Sequence, residues 1–143
     1  MINNTILRIS PKDKLEAQNS SHPLSGIAEK LGAISFKDGG DFYFILPTYK
    51  GFTVGDYGYK HGLGKAILCF GEFRWENFEL DDYKESKEED KTSFCGFYWL
   101  RSIGGDLDNL PSPQYDNFTI EGNIFKDYAD TGEINKDLEI FTM

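Results

Sequence analysis

The stretch KAILCFGEFRW, residues 65–75, interleaves two apolar sets, Ile67, Cys69 and Phe73 against Ala66, Leu68 and Phe70. In an extended chain successive side chains point to opposite faces, so two apolar sets mean burial on both sides, the mark of a central strand. Glu72, Arg74 and Glu76 then share one face, where the strand is expected to emerge into water. SFCGFYWL, residues 93–100, repeats the two-faced apolar pattern and is its natural partner.

Working outward, AISF (33–36), the turn residues KDGG and DFYFIL (41–46) read as a hairpin, with Pro47 expected to stop its second strand. HPLSGIAEKLG, residues 22–32, sets Leu24, Ile27, Ala28 and Leu31 at helical spacing between an early proline and a closing glycine, with Ser21 or Ser25 available as a cap. INNTILRI (2–9) is a short strand candidate closed by Ser10-Pro11. GFTVGDYGYKHGLG, residues 51–64, has five glycines in fourteen positions, so its backbone must turn repeatedly or approach something closely. NFTIEG (117–122), NIFKDY (123–128) and DLEIF (137–141) read as shorter strands, and RSIGGDLDNLPSPQYD (101–116) as a Gly/Pro/Asp loop that fits no element. The expected fold is α+β: an antiparallel β-sheet of five to seven strands with one helix (22–32) packed on it, in a single domain spanning residues 1–143. A β-sandwich is the alternative.

The apolar fraction of 39% and aromatic fraction of 15% exclude a wholly disordered chain despite a formal charge of −9. MINNTILRISPKDK lacks the basic start and continuous apolar segment of a secretory signal, and no window approaches the roughly eighteen apolar residues of a membrane span, so a cytoplasmic location without membrane attachment is expected. Cys69 and Cys95 alone imply no disulfide framework; two buried free thiols are expected, with a bridge between adjacent strands as the alternative.

The charge is lopsided. Residues 1–74 carry nine Lys/Arg and seven Asp/Glu, whereas residues 75–143 carry six and seventeen, a net charge of −11. WENFELDDYKESKEED, residues 75–90, holds eight carboxylates and two lysines, a net charge of −6. Leu80 and Tyr83 are the only apolar residues of 79–90, so that part cannot bury a stripe and is expected to be a polar turn of helix or a connection between the two central strands. Such a field repels DNA, RNA and anionic membrane and speeds encounter with a cationic protein.

No catalytic, metal or nucleotide motif is complete. FKDYADTGEINKDLE (125–139) places Asp127, Gly132 and Ile134 at the first, sixth and eighth positions of an EF-hand-type calcium loop, but Ala129 and Leu138 stand where a carboxylate and the bidentate Glu belong. A hairpin turn at Asp130-Thr131-Gly132 is expected there instead. YGYKHGLGKA (57–66) resembles one half of a MORN repeat over ten residues; it does not recur, and such repeats need stacked neighbours. His22 and His61 read as surface or turn histidines, and Glu72 with Glu76, although formally an acid–base pair, as a charge ladder around Arg74. No catalytic residue, metal ligand or cofactor is assigned.

The functional expectation is an acidic cytosolic protein-binding inhibitor, not an enzyme, that covers a basic surface of a nuclease toxin or nucleic-acid-binding protein. In class and charge it is similar to bacterial immunity proteins and antitoxins that neutralise toxins, and to phage-encoded anti-defence inhibitors. The expected contact residues are Glu76, Glu79, Asp81, Asp82, Glu85, Glu88, Glu89 and Asp90, with Asp106 and Asp108, around an aromatic anchor at Trp75 or Phe78. The alternative is an aromatic-rich β-domain for a small molecule or carbohydrate, motivated by Tyr, Phe and Trp near glycine-rich loops.

Overall fold

A computed structural model describes residues 3–19, 22–62, 64–76, 91–103, 106–111 and 118–142. In chain order these form β1 (Asn3–Ile9), α1 (Lys14–Gln18), α2 (Ser25–Leu31), β2 (Ile34–Asp38), β3 (Asp41–Tyr49), β4 (Phe52–Thr53), β5 (Asp56–Lys60), β6 (Gly64–Glu76), β7 (Lys91–Ile103), β8 (Asp106–Pro111), β9 (Thr119–Asn123), α3 (Ile124–Thr131), a 3₁₀ turn at Lys136–Leu138 and α4 (Glu139–Thr142). The class is α+β, as expected, but the strands divide between two antiparallel sheets. One runs β1-β3-β2 with β4 on the end of β3; the other runs β8-β7-β6-β5-β9.

β6 is central, and Ala66, Ile67, Leu68 and Cys69 are all buried, because both of its faces meet apolar side chains. A single apolar core joins this strand to Phe42, Phe44 and Leu46 of β3, to Ile27, Ala28 and Leu31 of α2, and to Phe125 and Phe141 near the C-terminus. The closing glycine of α2 is Gly32, at φ +92°, with its N–H donated to the Ala28 and Glu29 carbonyls. A Cβ there would stand 1.6 Å from the Phe70 carbonyl oxygen, so the helix end is seated directly on the β6 backbone. Ser25 does not cap this helix as expected: Leu24 occupies the N-cap without a side-chain bond, and Ser25 Oγ accepts from His22 N–H; Ser21 lies outside the described residues.

Several expectations are corrected. β3 continues through Pro47, whose carbonyl accepts from Val54 N–H at 2.9 Å. The missing proline N–H falls on the same side, beyond Ile34, where β2 has ended and no ladder bond is required. NIFKDY is helical: Asn123 Oδ1 accepts from the N–H groups of Phe125 and Lys126, Ile124, Phe125 and Tyr128 are buried together, and Gly132 closes the helix in the left-handed conformation. The expected hairpin turn at 130–132 is this helix end. DLEIF is a 3₁₀ turn followed by α4, with Leu138 and Phe141 buried one turn apart. Within 101–116, β7 runs on to Ile103 and β8 pairs with it from Asp106 to Pro111. Cys69 is buried but Cys95 is exposed. Cys69 faces Tyr98 and Cys95 faces Glu72 across the β6–β7 ladder, an odd offset that puts the two thiols on opposite faces and excludes a bridge.

The chain passes from the first sheet to the second at Thr53–Asp56, and the crossing is bound on every side. Asp56 Oδ2 accepts from Thr53 N–H at 2.8 Å, and Oδ1 from Asn123 Nδ2 at 2.9 Å. Asn123 Nδ2 also donates to the Val54 carbonyl at 3.1 Å. Gly55 N–H reaches the Leu68 carbonyl of β6, and Ile124 N–H the Gly55 carbonyl. Gly55 lies at φ +95°, with the Phe125 ring 2.6 Å from where a Cβ would be. Gly58 has the same role in β5, since a Cβ there would fall 2.1 Å from the Thr119 carbonyl. The glycine-rich stretch is thus a set of close backbone approaches. Asn123→Ala removes the cap of α3 and both donations at the crossing together, and is expected to cost about 2–4 kcal/mol, measured as a lower urea midpoint with unchanged m-value.

Candidate functional site

β6 and β7 are the longest strands, 13 residues each, and pair without interruption from Lys65↔Ser102 to Glu76↔Lys91. Their flanking strands cover only one end. β5 reaches along β6 no farther than Ile67, and β8 along β7 no farther than Tyr98. Among the described residues, 71–76 and 91–96 therefore form ladder bonds only with each other, as a two-stranded arm extending beyond the five-stranded part of the sheet. At the arm's root Phe70 meets Phe97 edge-on at 4.9 Å and Tyr49 stacks on Phe97 at 5.3 Å.

Gly71 and Gly96 face one another directly beyond that root, at φ +149° and +156°. A Cβ at either would meet nothing within 4 Å, so glycine is required by the backbone conformation and not by space. Glu72 and Cys95, the next pair outward, are exposed. Trp75 and Glu76 end β6, in register with Thr92 and Lys91. Glu79, Asp81, Asp82, Glu85, Glu88, Glu89 and Asp90, together with Phe78, lie outside the described residues, in the chain that joins the paired ends Glu76 and Lys91.

Asp106 and Asp108 begin β8, the strand beside β7. They stand opposite Ile103 and Arg101, so Asp108 is removed from Lys91 by about 33 Å along β7 at 3.3 Å per residue. Asp108 is engaged by Arg101 in an ion pair of 2.6 Å. Glu72 and Glu76 stand about 13 Å apart along one strand.

His61 occupies an exposed turn, as expected, but His22 is buried. Its ring is enclosed edge-on by Phe42, Phe44 and Tyr128. Nδ1 accepts from Leu24 N–H at 3.0 Å, which assigns the proton of the neutral ring to Nε2; that atom faces Glu16 Oε1 at 3.6 Å. Glu16 is presented by α1, whose N-cap Asp13 accepts from Glu16 N–H. Nothing in the sequence around His22 signals this burial, because the enclosing rings come from β3 and α3. The arrangement is not a catalytic triad: Ser25 Oγ bonds the His22 backbone, and among the described residues Nε2 has no hydrogen-bond partner. Cys69 is no nucleophile either, since burial pushes its thiol up to about 12.

Two open clefts accompany these groups. One of about 610 Å³ runs beside α2, past Ser25, Glu29 and Ser35. Another of about 470 Å³ lies beside Asp127, Glu133, Asn135 and Lys136. Near the second, Tyr57 donates its hydroxyl proton to Asp127 at 2.5 Å, and its pKa is raised by burial and by that carboxylate. Among the described residues no group of three or more His, Cys, Asp or Glu is placed to hold a metal ion, and no helix is long and apolar enough to cross a membrane.

Burial lowers the His22 pKa, against the opposing pull of Glu16 and with a further lowering by Lys12. The folded state thus favours neutral His22, whereas the unfolded chain takes up the proton below about pH 6.5. Stability from this group is present above that value and is lost as pH falls from it toward the folded pKa. Urea unfolding at about pH 7.5 and about pH 5.5 is expected to give a lower midpoint at the lower pH, the unfolding free energy falling by up to about 1.4 kcal/mol per pH unit within the window. In His22→Asn, which keeps an acceptor for Leu24 N–H, the fall should be smaller.

Compared with known proteins, the chain matches no family model, no curated protein and no solved structure.

Proposed function

We propose that the chain is an acidic protein-binding inhibitor that covers a basic, nucleic-acid-binding or nuclease surface of a partner protein. The carrying observation is the position of the acidic segment: residues 75–90, with a net charge of −6, connect the paired outer ends of the two longest strands, beyond the flanking strands of the sheet. A dense group of carboxylates attracts a cationic surface over roughly a Debye length of 8 Å, and affinity then depends on desolvated anchors within the contact. Trp75, at the end of β6, is the anchor of this reading, with Glu76, Glu79, Asp81, Asp82, Glu85, Glu88, Glu89 and Asp90 supplying the charge. Asp106 and Asp108, at the other end of β7, belong to it only if the partner spans the full strand. In class and charge this resembles immunity proteins and antitoxins directed at cationic toxins.

The alternative, an aromatic platform for a small molecule or carbohydrate, is disfavoured by where the strand aromatics go. Trp99 is fully buried against Phe52 and Phe118, and Phe97 against Phe70 and Tyr49.

The test is affinity capture by the tagged full chain from its native lysate at low and at moderate salt, beside a variant with the eight acids of 76–90 replaced by Ser. One basic protein held stoichiometrically at low salt, weakened by salt and lost by the variant, is the expected result. On the purified pair, the variant should associate about 10-fold or more slowly, with a flattened salt dependence. Retention of the same proteins by the variant, or of no basic protein at either salt, would overturn the reading.

A further inference from the structure

The outward face of the first sheet is apolar. Side chains of β3 alternate, with Phe42, Phe44 and Leu46 in the core and Asp41, Tyr43 and Ile45 on the other face. The register places Ile6 of β1 and Ile34 of β2 on either side of Ile45, and Arg8 and Phe36 on either side of Tyr43. Ile6 is 66% exposed, Ile34 62% and Phe36 45%. Phe36 and Tyr43 lie flat against each other, with centroids 5.2 Å apart and planes 10° apart. An isoleucine row across three strands beside a stacked aromatic pair is a contiguous apolar surface of the kind that marks an interface.

We infer that this face pairs with the same face of a second copy of the chain, about a two-fold axis parallel to β3. The case for a second copy is self-complementarity. Two sheets stacked about 10 Å apart on such an axis set Ile45 against Ile45 and Tyr43 against Tyr43. The same operation lays β1 of each chain over β2 of the other, so Ile6 meets Ile34 and Arg8 lies over Phe36. Arg8 is exposed and only loosely paired with Asp41, at 3.8 Å. From above Phe36 its guanidinium reaches the exposed Asp38, one alternate position along β2. A basic partner has no comparable reason to choose this face. Its described charges, Arg8, Asp38 and Asp41, nearly cancel, and the acidity of the chain lies in residues 75–143.

Sedimentation equilibrium of the purified full chain at moderate salt is expected to give the mass of two chains. Ile34→Glu should raise the dimer dissociation constant about 30-fold or more. The position is already exposed, so near-unchanged circular dichroism is expected. Arg8→Asp should weaken the dimer, and the double variant Arg8→Asp with Asp38→Arg should restore it, a rescue that loss of folding would not show. A wild-type chain that stays monomeric up to about 100 μM would overturn the inference. A dimer indifferent to Ile34→Glu, or capture of a different protein by this face of a monomeric chain, would do the same.

Discussion

The contact on which the architecture depends is the one between Asp56 and Asn123, at the point where the chain leaves one sheet for the other. The two residues are 67 positions apart and both buried. Burial raises the Asp56 pKa, while the bonds from Asn123 and Thr53 favour its charged form. A buried carboxylate is tolerated when its lone pairs are taken, and here the partners are also structural termini: the end of β4 and the N-cap of α3. One polar cluster therefore sets the entry to β5, the exit from β9 and the start of α3. The apolar core packs around a crossing whose geometry these bonds have already specified.

From that crossing the second sheet grows unequally. β5 and β9 are short because the chain turns at Lys60–Gly64 on one side and enters α3 at Ile124 on the other, whereas β6 and β7 have no such stop until Glu76 and Lys91. The arm follows from this mismatch of strand lengths. It also accounts for the burial pattern of β6, doubly buried at Ala66–Cys69 and exposed at Glu72. The facing glycines at its root carry no side chains to pack.

The strands that form the centre of the molecule were legible because their signals are local. Two-faced apolar alternation in 65–75 and 93–100, a Gly-Gly turn at 39–40 and helical spacing across 22–32 each identify an element without reference to the rest. What was missed depends on distant partners. NIFKDY reads as a strand from its β-branched and aromatic residues but is helical because Asn123 is bound to Asp56 and because Phe125 and Tyr128 have places in the core; the spacing of Ile124, Phe125 and Tyr128, with Asn123 before them and Gly132 after, is the counter-signal. β8 lacks strand-like composition and exists because β7 offers it an edge. His22 reads as a turn residue until Phe42, Phe44 and Tyr128 are seen to surround it. Of the candidate contact residues, the placement of Trp75 and Glu76 at a strand end was implied by the emerging charge ladder. The separation of Asp106 and Asp108 from Glu76 along the ladder was not, since it depends on the full paired length of β7.

The acidic segment and the apolar sheet face obey different physics, and they belong to different sheets. Charge acts before contact and weakens with salt, whereas apolar burial acts only at contact and is far less sensitive to salt. Two chains joined through the first sheet bring their own charges of −9 together, a repulsion that added salt screens. If both proposals hold, salt moves self-association and capture of a basic partner in opposite directions, and the two surfaces are separable in one titration. A pairing that buries Ile6, Ile34, Ile45 and Phe36 leaves both arms outside the contact, because the arms are built from the second sheet. Each dimer would then present two acidic segments, and a partner with two basic sites, or one that is itself a dimer, would be held with an effective concentration that a single chain does not provide.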